Sequence, residues 1–189
     1  MHGEKPRIRL VSEQQLRIYT LPLRQKILRT MRLIGKPMTS KQIADRLHIA
    51  PSSARHHIMK LKEIGLVVHD HYESINGIKA DYLVVADVEI SLGADISDSF
   101  TAEREQASRV MLSEITERFM STLASRREKG DTDSNRFFGD ILGGIAHLSN
   151  EDAEHLYTMV KTFLNEHSLP KDKEERPWEL ALLLYETEH

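Results

Sequence analysis

Cysteine is absent from the 189-residue chain. That removes disulfides, iron–sulfur clusters and every thiolate metal site, and it fits a reducing cytoplasm, which is the expected location. Aromatic residues are scarce at 6%, and no apolar run approaches membrane-spanning length, so no membrane partner is expected. The opening Met1-His2-Gly3-Glu4-Lys5-Pro6-Arg7 lacks the apolar stretch of a secretory signal. A glycine-rich phosphate loop and a nucleophile elbow are also missing. The neighbouring carboxylates Glu103/Glu105, Glu151/Asp152 and Glu174/Glu175 fall where helix surfaces or a loop are expected. The chain therefore reads as a non-enzyme without a cofactor.

What remains is an ordinary globular composition, 40% hydrophobic and 29% charged, sufficient for one large domain or two small ones. Its net charge of −3 hides a division. Residues 1–90 carry 15 Lys or Arg against 9 Asp or Glu, a net of +6, and residues 91–189 carry 11 against 20, a net of −9. A basic half joined to an acidic half suits a polyanion-binding domain linked to one that need not touch the polyanion.

In the basic half, Leu23, Ile27, Leu28, Met31 and Ile34 recur at helical spacing behind Pro22, and Gly35-Lys36-Pro37 stops the run. Thr39 and Gln42 form a capping-box signature for a second helix with Ile43, Ala44 and Leu47 on its buried face. After His48-Ile49-Ala50, Pro51 suits the first position of a third helix over 51–64. Ala54, Ile58, Leu61 and Ile64 form its apolar side, leaving Ser52, Ser53, Arg55, His56, Met59, Lys60 and Lys62 on the others. Leu66–Glu73 and Lys79–Val85 read as strands around an Asn76-Gly77 turn. Two short helices on a three-residue turn, followed by a hairpin, make a winged helix-turn-helix pattern. The third helix would read the major groove of double-stranded DNA and the hairpin would be the wing. The expected DNA contacts are Thr39, Ser40, Lys41, Ser52, Ser53, Arg55, His56, Lys60 and Lys79. Ser52 can instead cap the third helix, His57 can pack, and Lys60 with Lys62 can form a solvated face. A winged helix used for protein contact, or for DNA binding without sequence preference, is the alternative reading.

Three stretches, Thr20–Leu28, Thr39–Ala44 and Ser53–Val67, resemble the ArsR-type winged helix-turn-helix transcriptional regulators over roughly residues 20–90. The resemblance implies a dimeric, sequence-specific regulator, expected to repress. Where that family has a hydroxyl residue, a variable residue, His and Leu, this chain has Arg55, His56, His57 and Ile58. Arg55 replaces the hydroxyl with a guanidinium suited to guanine or phosphate. The family's metalloid-sensing cysteine box is replaced by Ile43-Ala44-Asp45-Arg46-Leu47, which excludes sensing through thiolates.

Two histidine arrangements have partial metal-ligand spacing: His69 with His71 alternating along a strand, and Glu151 with His155 one helical turn apart. Neither completes a ligand set, and no metal site is expected.

In the acidic half, Ser97–Arg127 reads as one long helix with Ala107, Met111, Ile115, Phe119 and Leu123 repeating every four residues. Met111, Ile115, Phe119 and Leu123 are the expected seam of a homodimer, which would place two recognition helices on successive turns of a palindromic site. An intramolecular bundle is the alternative. Gly130–Asn135 reads as a linker, and glycine-rich 137–148 as a strand or irregular segment. Ser149 caps a helix to about His167, Ser168–Arg176 is a charged loop, and Trp178–Tyr185, open to a buried strand or a short helix, is read as a strand. The strand–helix–strand order resembles, more weakly, the C-terminal extension of longer members of the same group.

The fold expected is thus α+β and mainly α, with a winged helix-turn-helix domain at 1–92. Residues 93–189 would hold a dimerisation helix and a small α/β extension, which leaves room for a small-molecule effector.

Overall fold

The structure, a computed structural model, describes residues 5–93, 96–131, 137–172 and 174–187. The first four residues and the linker positions 132–135 lie outside the described residues. Among the described residues, six helices and five strands make an α+β architecture dominated by helix. The chain divides into two compact units, Met1–Ser108 with Leu169–Pro177, and Arg109–Ser168 with Trp178–His189.

In the first unit, α1 (Glu13–Thr20) is followed by α2 (Pro22–Ile34), α3 (Ser40–Leu47) and α4 (Pro51–Glu63). α2 starts on Pro22, whose fixed φ suits a first helical turn, and ends on Gly35 in the left-handed conformation at φ 61°. The expected capping box is present on α3: the Thr39 hydroxyl accepts from the Gln42 amide at 3.2 Å, and Gln42 Oε1 accepts from the Thr39 amide at 2.8 Å. Ile27, Leu28 and Met31 from α2, Ile43 and Ala44 from α3, and Ala54, Ile58 and Leu61 from α4 are buried together against Leu66, Val67 and Leu83. Leu23, Ile34, Leu47 and Ile64 are packed partly buried at its margin. Helical periodicity therefore located this core.

A three-stranded antiparallel sheet closes the core in the order β2 (Met38–Thr39), β4 (Ile78–Val85), β3 (Val67–Ile75). The hairpin strands are longer than expected and reach a two-residue turn, Asn76 at φ 51° and Gly77 at φ 78°. Two consecutive positive φ values give a turn whose twist matches that of the flanking strands. Four elements were not anticipated, the two-residue β2 among them. β1 (Arg7–Arg9) pairs in parallel with β5 (Glu89–Ser91), Ile8 facing Ile90 in the register, and α1 precedes α2. The Ser12/Gln15 capping box that starts α1 has the same signature as Thr39/Gln42.

The long helix, α5 (Thr101–Glu128), starts four residues later than expected. Asp98 occupies the turn before it, accepting from the Phe100 amide at 2.8 Å and from the Arg104 guanidinium at 2.5 and 3.0 Å. Arg104 is 2% exposed, and this pairing meets the demand of a buried cation for a counter-charge.

The second unit holds the rest of α5 and α6 (Asn150–Glu166), the latter capped by Ser149 as expected. The α/β extension needs correction. Trp178–Tyr185, read as a strand, has no ladder, and 137–149 has no regular structure, so among the described residues this unit contains helix only. Among the described residues, neither segment pairs in a ladder. Phe138 stacks on Phe119 with ring centroids 6.5 Å apart, Phe137 stacks on Trp178 at 5.8 Å, and Arg118 bonds Glu179 at 2.9 and 3.0 Å. Glu179, together with Glu114, holds the Arg118 guanidinium above its ordinary value. Among the described residues, no helix is long and apolar enough to cross a membrane.

Candidate nucleic-acid interface

The candidate surface begins with α4. Because Ala54, Ile58 and Leu61 are spent on the core, the opposite side of the helix faces outward, with Ser52, Arg55, His56 and Met59 all exposed. Ser52, His56 and Met59 follow at spacings of four and three, so they form one ridge, with Arg55 beside it. Met59, half exposed at 50%, belongs to this ridge although it was not among the expected contacts. Its spacing from Ser52 and His56 was the available signal.

The amino end of α4 is open. Its N-cap is Ala50, without a side-chain cap bond, so neither Ser52 nor Ser53 closes the helix, in contrast to α1, α3 and α6. Uncapped first-turn amides carry partial positive charge outward, a natural meeting point for an anion. Ser53 is half-buried on the flank.

Lys60 also sits on that flank, half-buried, with both Glu63 carboxylate oxygens 2.9 Å from its Nζ. It lines a cavity of ≈ 290 Å³ together with Glu13, Gln14, Arg17, Ile18 and Arg24. Nearby Arg24 donates from Nη1 to the carbonyls of Arg17 and Ile18 at 3.3 and 3.2 Å, tying the end of α1 to α2. Burial lowers the Arg24 guanidinium below its ordinary value despite the opposing pull of Glu63. His57 is likewise pushed down, first by burial and then by Arg24 and His56. Among the described residues, its half-buried ring finds no hydrogen-bond partner for Nδ1. This is the packed alternative for His57.

On α3, Thr39 has committed its hydroxyl to the cap, Ser40 is half-buried in the first turn, and Lys41 is exposed. Lys79 is exposed on β4 with its Nζ 3.7 Å from the centroid of the Tyr72 ring, a cation–π contact that fixes the side chain near the hairpin tip.

The pairing of His69 and His71 on one strand face is overturned. A bulge between them puts His69 opposite Leu83 and His71 opposite Tyr82, which are neighbours on β4 and point to opposite faces. His69 bonds Asp81 at 2.6 Å, and Lys62 of α4 approaches the other oxygen of Asp81 at 3.7 Å. These contacts, with the His69 ring 4.2 Å from that of Tyr72, latch the hairpin to the end of α4. On the other face His71 stacks on Tyr82 at 4.6 Å, and a hydrogen bond to Glu73 raises the Tyr82 hydroxyl above its ordinary value. Sequence alternation gave no sign of the bulge. Among the described residues, no group of three or more His, Asp or Glu is arranged to hold a metal ion, His155 included.

Of the expected seam, Met111 is 40% exposed, while Ile115, Phe119 and Leu123 are partly covered. Phe119 is covered within its own unit by Phe138 and by Gly139, where an added Cβ would lie 3.2 Å from the Phe119 ring.

Residues 21–70, containing α2 through α4 and the start of β3, match the helix-turn-helix domain family. No curated protein matches the chain. The match supports a helix-turn-helix regulator that binds DNA, and it points to regulation of transcription rather than to an enzyme.

Proposed function

We propose that this protein is a dimeric, sequence-specific transcription regulator of the ArsR-like winged helix-turn-helix type, acting as a repressor in the cytoplasm. In this reading residues 1–92 recognise double-stranded DNA, and residues 93–189 dimerise and receive a small-molecule effector. The observation that carries it is the outward ridge of α4, uncapped at its amino end and joined by Lys62, Asp81 and His69 to a hairpin. A helix entering the major groove meets bases with its first turns and phosphates with its amino end.

Arg55 is suited to a guanine edge, Ser52 and His56 to hydrogen-bonding at bases, and Met59 to the methyl group of thymine. Lys41, Ser40, Ser53 and Lys79 would meet the phosphate backbone or the adjacent groove, with Thr39 holding the α3 amino end in place. Lys60 adds positive potential that its ion pair with Glu63 reduces. An effector would act by favouring one dimer geometry over another, and so changing the register of the two α4 helices on the duplex.

The test is selection of bound sites from a random duplex library at moderate salt, followed by titration of the recovered site against a scrambled one. A palindrome bound ~10³-fold more tightly than the scramble is expected. Arg55→Ala should cost ~1–3 kcal/mol on that palindrome and much less on the scramble. Equal binding of both duplexes by the parent protein would replace this reading with an architectural or protein-binding module.

A further inference from the structure

We propose that residues 137–148 and 178–187 form a β-sheet with the same two segments of a second copy of this chain, so that strand exchange holds the dimer together with α5. The inference rests on the dimeric reading above and adds the means of assembly.

The first ground is composition. Trp178-Glu179-Leu180-Ala181-Leu182-Leu183-Leu184-Tyr185 has the length of a strand and is apolar at successive positions, hence on both faces. Such strands occur where both faces of a sheet are covered. The earlier segment contributes Phe137, Phe138, Ile141, Leu142, Ile145 and Leu148.

The second ground is what these segments lack. Among the described residues, the backbone hydrogen bonds outside helices and strands include none from 137–148 or 180–187. The Ile141 amide instead donates to the Asp140 carboxylate at 2.8 Å. Their side chains are uncovered as well: Leu142 is 99% exposed, Ile145 83%, Tyr185 77%, Phe137 72% and Leu183 68%. Between them the two segments leave eleven large apolar side chains exposed, from Phe137 to Leu148 and from Trp178 to Tyr185, the kind of apolar surface that marks a protein–protein contact.

The third ground favours a second copy as the occupant. Stacking of Phe137 on Trp178 brings the starts of the two segments side by side, and the Arg118–Glu179 pair fixes the later one to α5. One chain thus offers two neighbouring segments of strand-like composition, which even if paired would be too few for a stable sheet. A two-fold axis doubles them, and each copy supplies the edge that the other lacks. The apolar side of α6, with Met159 56% and Phe163 60% exposed, is available to cover one face of that sheet.

The experiment uses the full-length chain. Amide hydrogen exchange is followed by mass spectrometry across a dilution series, with sedimentation run on the same samples. In the dimer, amides of 141–148 and 180–185 are expected to exchange at least ~10²-fold more slowly than unprotected ones, with protection lost on dilution to monomer. Leu183→Pro, which removes a ladder donor, should abolish protection in both segments and weaken the dimer, whereas Leu183→Ala should keep the protection. Independently of either variant, a photo-cross-linking residue in place of Leu142, used in a mixture of light and heavy isotope-labelled chains, should give light–heavy cross-links into 137–148 or 178–187. A dimer with unprotected amides in both segments would overturn strand exchange and leave the α5 seam standing. Protection that persists in the monomer, or cross-links confined to single chains, would assign the sheet to one chain and overturn the exchange. A monomer at every concentration would remove the dimeric reading as well.

Discussion

The two units solve the problem of burying apolar residues differently. In the first, side chains from α2, α3, α4 and the three-stranded sheet enclose one another, and Ile27, Leu28, Ile43, Ala44, Ala54, Leu61 and Leu66 have no exposed surface. In the second, no described residue is buried, although it carries Phe119, Phe137, Phe163, Trp178 and a run of leucines. Hydrophobic content is therefore not what separates them. Helices α2 to α4 and a hairpin supply apolar faces that close around one core, whereas in the second unit two helices and two segments that form no ladder among the described residues leave theirs open. The contrast follows the charge division, since the basic unit with the closed core carries the candidate DNA surface.

Core truncation should break this contrast most strongly. Ile58→Ala should lower the unfolding free energy of the first unit by ~2–5 kcal/mol through lost burial and a residual cavity, as read by denaturant titration. In dilute protein Leu142→Ala should shift stability by no more than ~0.5 kcal/mol, because its side chain has little to lose. A loss at Leu142 equal to that at Ile58 and independent of concentration would erase the distinction.

Helix caps offer a smaller and more even comparison. Thr39→Ala and Ser149→Ala should each cost ~1 kcal/mol, read as faster exchange of the Gln42 and Asp152 amides. The two caps differ in the returned bond: Gln42 accepts from the Thr39 backbone amide, whereas Asp152 accepts from the Ser149 hydroxyl. Gln42→Ala should therefore add to the exchange of the Thr39 amide, and its failure to do so would reduce that box to a single bond.

The gentlest probe is acid. Hydrogen bonds from Arg104 and the Phe100 amide hold Asp98 below its ordinary carboxylate value of 3.8. Its contribution to stability is complete above the unfolded value and disappears as pH falls through the lower, folded one. His57, pushed below 6.5, is protonated more readily in the unfolded chain, so its contribution is also complete above 6.5 and declines as pH falls below it. Thermal melts between pH 8 and pH 2 should show a shallow early decline, followed by a later one that Asp98→Asn removes. Persistence of the later decline in that variant would assign it to other carboxylates.

Much of this was legible in local sequence. Thr39 and Gln42, Pro51, Asn76-Gly77 and Ser149 each announce a cap or turn through chemistry confined to a few residues, and all act as expected. The helical face of Ala54, Ile58 and Leu61 foretold which side of α4 would remain outside. Elements that depend on distant partners were not legible. β1 is three residues long with one apolar position, and it exists because residues 89–91 run beside it. The bulge after His69 depends on cross-strand geometry, and Lys60 was claimed by Glu63, a neighbour that charge counting treats as separate. Trp178–Tyr185 carries a strand's composition but forms no ladder among the described residues, since pattern specifies a preference and a ladder needs a second strand.

The pairing of β1 with β5 also orders events in time. The β3–β4 hairpin closes on a two-residue turn and can form in roughly 1–10 μs, and the α3–α4 contact spans only a short turn. Joining Arg7 to Glu89 requires the ends of nearly the whole first unit to meet, with little enthalpic reward from three residue pairs until the core is assembled. The amino-terminal strand should thus be the last part of this unit to dock during folding and the first to detach.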